Sequence, residues 1–71
     1  MDGENLLGLY RHFRGKLYCV YDVCMDATNG RGYDRLICYI DVQTGEKYAR
    51  TEKEFFGTVN GQKRFERIDK I

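Results

Sequence analysis

The hydrophobic positions of the chain fall into short runs interrupted by Gly or Asn, which is typical of strands joined by turns. No run has the length of a long helix. The runs predict five strands, which cover Leu9–Phe13, Lys16–Cys24, Tyr33–Asp41, Glu46–Arg50 and Arg64–Ile68.

The second predicted strand departs from strict alternation. Alternation would place Asp22 on the same face as Tyr18 and Val20, where a carboxylate is a poor core residue. A β-bulge near Tyr21-Asp22 would bring Val23 to the face of Tyr18 and Val20 instead. We therefore predict a bulge at this point.

The third predicted strand is apolar on both faces. Such a strand is either central and covered twice, or its outer face meets a ligand or partner. One face carries Leu36, Cys38 and Ile40, and the other carries Ile37 and Tyr39.

Several shorter signals predict the connections. Thr51 and Glu54 have the spacing of a capping box, so one helical turn should follow and carry Phe55 or Phe56 beneath the sheet. Asn60-Gly61 is the strongest hairpin signal in the chain. Two further connections are predicted, a mobile exposed loop over Met25–Tyr33 and a tight turn at Gln43-Thr44-Gly45.

Together these elements predict a mainly β fold, either a small bent antiparallel sheet or an SH3-like barrel of about five strands, with one short helical turn. Closing the barrel would remove most exposed edges, whereas an open curled sheet could pair edge to edge in a dimer. We expect residues 1–7 to be a flexible N-terminus and residues 8–71 to form a single small β domain.

Composition narrows the classes of function. Lys and Arg number 12 and Asp and Glu 11, and a net charge of +1 gives little attraction to nucleic acid or to membranes. The chain has no Ser, which excludes a serine nucleophile. No stretch approaches the roughly 20 apolar residues of a membrane span. We expect a cytoplasmic protein without membrane contact.

The three cysteines, Cys19, Cys24 and Cys38, cannot all pair within one chain. We expect reduced thiols that act as small buried hydrophobic residues. With His12 they could supply four zinc ligands, but the spacing of Cys19 and Cys24 differs from that of zinc knuckles. We therefore expect no metal and no cofactor.

The first predicted strand also resembles a known motif. Gly8–Gly15 reads GLYRHFRG and, with Tyr18 and Val20, is similar to the opening G-x-Y-R-H-[FY]-[KR]-G-x-x-Y-x-V of the bacterial domain-of-unknown-function family sixteen-fifty-three. The resemblance implies a small bacterial or phage-borne domain, and it brings no known activity. It continues, in order, through Ile37-Cys38-Tyr39, Tyr48-Ala49-Arg50, Phe55, Val59, Gly61, Arg64 and Phe65.

The Tyr10-Arg11-His12 run is the first candidate site. On a strand, Tyr10 and His12 share one face while Arg11 points to the other. Tyr10 and His12 could act as proton donor and acceptor. We favour a structural role, in which His12 donates to a backbone carbonyl and locks the Arg14-Gly15 turn while Tyr10 packs.

The second candidate is the region around Arg50. Its guanidinium could bind a phosphate or carboxylate beside the helical turn, or form a salt bridge with Glu54 or Glu52. Six tyrosines exceed what a thin core needs, so some should expose a ring edge. For Tyr39 and Tyr48, core and surface roles are equally supported.

The acidic residues do not form a convincing catalytic pair. They fall at strand ends or in loops, where we expect solvated turn residues: Asp22, Asp26, Asp34 and Asp41.

We expect a non-catalytic binding module with an aromatic and cationic surface. A protein partner is favoured over single-stranded nucleic acid or a nucleotide, because the net charge is small. The alternatives are a small enzyme that uses His12 and Arg50, and a structural homodimer. The expected ligand-binding residues are Tyr10, Arg11, His12, Tyr39, Tyr48 and Arg50.

Overall fold

The structure is a computed structural model and describes residues 5–28 and 34–70. The segment 1–4 of the expected N-terminal tail and residues 29–33 of the expected loop lie outside the described residues. The elements are β1 (Gly8–His12), β2 (Leu17–Met25), β3 (Arg35–Asp41), β4 (Lys47–Thr51), α1 (Glu52–Phe55), β5 (Thr58–Val59), β6 (Gln62–Lys63) and β7 (Phe65–Lys70).

Five strands form one antiparallel sheet in the order β4-β3-β2-β1-β7. The predicted small bent sheet is confirmed, and its alternative, a closed SH3-like barrel, is not formed: over residues 5–28 and 34–70, β4 pairs only with β3 and β7 only with β1. Phe55 of α1 covers the apolar face between these edges, where its ring stacks on Phe65 of β7. In a barrel the two edge strands would pair with each other. Here the helical turn α1 packs between them instead.

The predicted bulge in β2 is confirmed. The ladder with β3 shifts its register between Val20 and Asp22, so that Tyr21 is the extra residue. Beyond the bulge Val23 lies opposite Ile37, and both Val20 and Val23 contribute to the core. The bulge thus keeps a carboxylate out of the apolar interior.

The core lies between the inner face of the sheet and α1. The rings of Phe55 and Phe65 are parallel with their centroids 4.1 Å apart, and Tyr10 meets Phe55 edge to face at 5.2 Å. This interior is small and mostly aromatic, and its buried residues are Tyr10, Val20, Ile37, Tyr39, Phe55 and Phe65.

One half of the predicted capping box, the bond to the Thr51 hydroxyl, is present at the start of α1. The Thr51 hydroxyl accepts a hydrogen bond from the amide of Glu54 at 3.2 Å. This cap fixes the start of a single helical turn, and the turn points Phe55 into the core while Phe56 stays exposed. Among the described residues, no helix is long and apolar enough to cross a membrane.

The predicted Asn60-Gly61 hairpin joins β5 and β6. Both turn residues have positive φ, 51° at Asn60 and 83° at Gly61, as this type of turn requires. The amide of Arg64 donates to the carbonyl of Gly57, and the carbonyl of Arg64 accepts from the amide of Phe13. These two bonds join the base of the hairpin to the turn that follows β1.

Asp41 differs from the expected solvated turn residue, because it is 2% exposed. Its Oδ1 accepts from the amides of Gln43 at 2.8 Å and Thr44 at 3.3 Å, while Oδ2 accepts from Lys16 Nζ at 3.1 Å. The Gln43 amide is the main cause that holds the pKa of Asp41 below its usual 3.8, and Lys16 lowers it further. The carboxylate therefore shapes the β3–β4 turn from inside.

Residues 5–7 precede β1 and contact the folded domain. Leu6 and Leu7 pack against the core. Arg67 of β7 donates to the carbonyls of Asn5 and Leu7, both at 2.7 Å. These contacts extend the ordered part of the chain beyond the start of β1.

The buried ring of Phe55 should dominate the stability of the domain. We expect Phe55→Ala to lower the free energy of unfolding by about 3–5 kcal/mol, since it removes the ring that covers the sheet. The control Phe56→Ala, at a neighbouring ring that is 41% exposed, should cost no more than about 1 kcal/mol. Urea unfolding followed by circular dichroism measures both, and equal losses would contradict the assigned core.

Asp41 should make the domain sensitive to acid. Because folding lowers its pKa, its contribution is complete above the usual value of 3.8 and is lost as the pH falls through the lower folded value. Asp41→Asn should lower the urea midpoint at neutral pH and flatten the decline of stability in acid. Glu46→Gln, an exposed carboxylate beside the same turn, should keep the acid decline of the wild type. A steep decline that persists in Asp41→Asn would place the acid sensitivity elsewhere.

Candidate functional site

A row of aromatic rings crosses the inner face of the sheet from β4 to β1 and β7. Successive centroids are 5.5, 5.4, 5.6 and 5.0 Å apart. The row links His12 at the end of β1 to Tyr48 on β4, next to Arg50. The two candidate regions predicted from the sequence, around His12 and around Arg50, therefore both adjoin the inner face. In order, this aromatic row consists of Tyr48, Tyr39, Tyr18, Phe65 and His12.

The tyrosines of the prediction divide between core and surface. Tyr10 is 2% exposed and donates its hydroxyl to the carbonyl of Leu6 at 2.9 Å. Tyr39 is 5% exposed, whereas Tyr48 is 43% exposed. Tyr10 and Tyr39 therefore pack, and Tyr48 is the ring that a ligand can reach.

Arg50 lies at the exposed end of the aromatic row. Its Nε donates to the hydroxyl of Tyr39 at 3.0 Å, and its Nη1 is 3.8 Å from a carboxylate oxygen of Glu54. The contact with Glu54 is too long for a hydrogen bond and is half exposed, so it adds little stability. The buried tyrosine holds the guanidinium through Nε, and the Arg50 side chain as a whole is 34% exposed.

Tyr48 and Arg50 line an open groove of about 410 Å³. Thr51 and Glu54 form the end of the groove at the start of α1, and Leu36 contributes from β3. We call this surface the β4 groove. It combines the ring of Tyr48, the guanidinium of Arg50 and the backbone of an edge strand. A ligand can pack on the ring and form hydrogen bonds with the guanidinium and the backbone.

His12 is half buried, and its ring helps to hold the turn after β1. Nδ1 accepts from the amide of Arg14 at 3.1 Å, so the ring is an acceptor here and not the donor that we expected. Burial lowers the pKa of His12 below its usual 6.5, and three nearby guanidinium groups lower it further. They belong to Arg14, Arg64 and Arg50. A neutral ring at pH 7 fits a structural acceptor.

Arg11 lies apart from the β4 groove. It is exposed on the outer side of β1, opposite Leu17 of β2 and Glu66 of β7. With His12 it lines a different cavity, of about 370 Å³. The structure thus brings Tyr39, Tyr48 and Arg50 together but separates Arg11 from them.

Three residues of this face, Tyr18, Phe65 and Arg64, were not among the predicted site residues. Tyr18 lies between Tyr48 and His12, with centroid distances of 6.1 and 6.3 Å. Arg64 donates from Nε to the carbonyl of Glu54 at 3.2 Å, which ties the segment before β7 to α1. Alternation in β2 indicated the face of Tyr18, but no local pattern reveals its neighbours across the strands.

The cysteines differ in part from the expected buried hydrophobic residues. Cys19 and Cys38 are half buried, but Cys24 is exposed because it lies near the end of β2 on the outer face of the sheet. Within residues 5–28 and 34–70, no cluster of three or more His, Cys, Asp or Glu side chains could hold a metal ion.

The fold and the groove define a small open-sheet domain with an aromatic and cationic edge. The chain belongs to the family described as protein of unknown function (DUF1653), whose model matches residues 8–67. This match confirms the family resemblance that begins at Gly8. No curated protein and no solved structure matches the chain.

The environment of His12 predicts its titration. We expect an NMR-measured pKa below 6.5 that rises in Arg14→Gln, because that variant removes the largest charge effect on the ring. Since the unfolded chain binds the proton more readily, stability should decline as the pH falls through 6.5. Lys47→Gln, a change of equal charge on β4, should leave the titration in place. A wild-type value at or above 6.5 would contradict this description of the ring.

Proposed function

We propose that the domain is a non-catalytic binding module that holds an extended segment of a protein partner at the β4 groove. The observation that carries this proposal is the exposed Tyr48 beside the oriented guanidinium of Arg50, both on an open edge strand. We further propose that the protein is bacterial and cytoplasmic. The family resemblance supports a bacterial source, and the odd number of cysteines supports the cytoplasm.

The open edge of β4 supports a partner that is extended. Within the described part of the chain, β4 pairs only with β3, which leaves one side of its backbone unpaired. Lys47, Tyr48 and Ala49 are exposed along this strand. An extended peptide can add to such an edge through main-chain hydrogen bonds, while neighbouring side chains select the sequence.

The side chains of the groove favour a segment with an acidic residue. The Nε of Arg50 is committed to Tyr39, and its Nη groups can form a paired hydrogen bond with a carboxylate. A ligand carboxylate would compete with Glu54, which is 3.8 Å away and 65% exposed. The face of Tyr48 can cover an apolar side chain of the same segment.

Nucleic-acid binding is the second candidate, and one observation favours it. Arg14, Arg64 and Arg50 all lower the pKa of His12, so three cations lie near one end of the aromatic row that also contains Tyr18 and Tyr48. Bases stack on such rings while cations bind the phosphates. The net charge of +1 favours the protein partner, because it gives little long-range attraction to a polyanion.

A random-peptide display library provides the probe for the proposed function. The immobilised domain should select peptides that contain an acidic residue next to an apolar one. Tyr48→Ala and Arg50→Gln should each weaken the selected peptide at least about tenfold, the scale of an interface residue that contributes strongly. Fluorescence anisotropy measures the affinity, and thermal melting verifies that each variant is folded.

Tyr21→Ala is the matched control. Tyr21 is 45% exposed, close to the 43% of Tyr48, but its ring lies beside Lys47 on the outer face. It should leave the affinity unchanged, whereas N-methylation of alternate peptide amides should abolish binding at an edge strand. Equal losses in Tyr21→Ala and Tyr48→Ala would overturn the proposal. Failure to select peptides, together with salt-sensitive binding of a fluorescent single-stranded oligonucleotide, would favour the second candidate.

A further inference from the structure

The outer face of the sheet carries a thiol pair that the binding function does not use. The sulfur atoms of Cys24 and Cys38 are 3.7 Å apart, and Cys24 is exposed to solvent. We propose that these two cysteines form a dithiol site that a hydroperoxide oxidises to an intramolecular disulfide.

The strand register explains how the two sulfurs come into contact. Cys24 lies opposite Leu36, and Cys38 lies opposite Asp22, so the cysteines are diagonal neighbours across the β2–β3 ladder. The bulge at Tyr21 sets this register. If β2 kept strict alternation through Tyr21 instead of forming the bulge, Cys24 would fall on the core face and could not meet Cys38.

Formation of the bond requires the sulfurs to approach from 3.7 Å to about 2.05 Å. The β2–β3 ladder ends at the pair Met25 and Arg35, next to Cys24. Rotation of both side chains and a small movement of this strand end bring the sulfurs together. The bulge separates this strand end from the buried pair Val20 and Tyr39, and the pair Val23 and Ile37, which faces the core, lies between the bulge and Cys24.

The two thiols differ in environment, which assigns their order of reaction. Cys24 is exposed and meets the oxidant first. Cys38 is half buried, and burial followed by its hydrogen bond with Cys24 raises the pKa of its thiol. Cys38 is therefore the less accessible thiol, and we assign it the second step, in which it resolves the intermediate formed on Cys24.

The chemistry balances with hydrogen peroxide as the oxidant. The thiolate of Cys24 attacks one peroxide oxygen, the O–O bond breaks, and a sulfenic acid forms with release of hydroxide. The sulfur of Cys38 then attacks the oxidised sulfur, the S–O bond breaks, and a second hydroxide leaves. The two thiol protons convert these hydroxides to two waters. The sulfur pair loses two electrons, and the peroxide gains them.

Cys19 provides an internal comparison. It also lies on the outer face of β2, opposite Leu9 of β1 and Ile40 of β3. Its sulfur lies 3.9 Å from the carbonyl of Val20 and is half buried. Cys19→Ser should therefore leave the dithiol site in place.

The test treats the full chain with hydrogen peroxide and measures its mass before and after reduction with dithiothreitol. The wild type and Cys19→Ser should each lose the mass of two hydrogen atoms, and reduction should restore it. Trypsin without reduction should yield peptides 17–31 and 36–47 joined in one species. Peptide 17–31 contains both Cys19 and Cys24, so the same species from Cys19→Ser assigns the bridge to Cys24 and Cys38. The oxidised chain should also melt at a higher temperature, because the bond closes the loop 25–37 in the unfolded chain.

Cys24→Ser and Cys38→Ser should each fail to form this species and instead gain oxygen atoms on the remaining thiols. Circular dichroism verifies that these variants fold, and Cys24→Ala and Cys38→Ala replace any that do not. A bridge lost in Cys19→Ser, a wild type that only gains oxygen atoms, or a product linked only between chains would each overturn the proposal. Peptide binding at the β4 groove is measured separately and does not enter this test.

Discussion

The burial of one ring, that of Phe55, is the interaction on which the rest of this structure depends. An open sheet with one apolar face needs a second layer, and here a single helical turn supplies it. Phe55 is fully buried, lies parallel to Phe65 and meets Tyr10 and Tyr39 edge to face. One side chain thus joins β1, β3 and β7 to the segment that follows β4.

The same turn builds the candidate binding surface. Arg50 directly precedes the cap residue Thr51, and Glu54 lies on the first turn of α1. The direction in which Phe55 enters the core therefore sets the distance between Arg50 and Glu54. Tyr39 strengthens this link, because its ring packs in the core while its hydroxyl holds the guanidinium. Candidate binding residues and core residues are neighbours in a domain of this size, so the core and the proposed binding surface share the same contacts.

Much of the fold could be predicted from sequence because its signals are local. The bulge at Tyr21, the cap at Thr51 and the turn at Asn60-Gly61 each depend on residues only a few positions apart. The choice between an open sheet and a closed barrel could not be made in this way, since it depends on where Phe55 packs relative to β7. The burial of Asp41 was missed for the same reason, because its partner Lys16 is distant in the chain.

The candidate site was predictable only in part. Tyr48 and Arg50 are two positions apart on one predicted strand, so their side chains share a face, and this spacing indicated an aromatic and cationic pair. The pairing of Tyr39 with Arg50 needs the β3–β4 register, and the separation of Arg11 needs the strand order. Neither follows from the spacing of residues along the chain.

The apolar pattern on both faces of β3 has a physical explanation in the strand register. The inner residues Ile37 and Tyr39 are buried beneath α1. The outer residues Cys38 and Ile40 are only half buried, and they lie opposite Ala49 and Lys47 of β4. Neighbouring strands thus shield this outer row without a second layer, and the pattern by itself does not require a partner there. In the part of the chain that the structure describes, no strand pairs with the outer edge of β4, which is why the proposed contact with a partner lies at the edge of the sheet and not on its outer face.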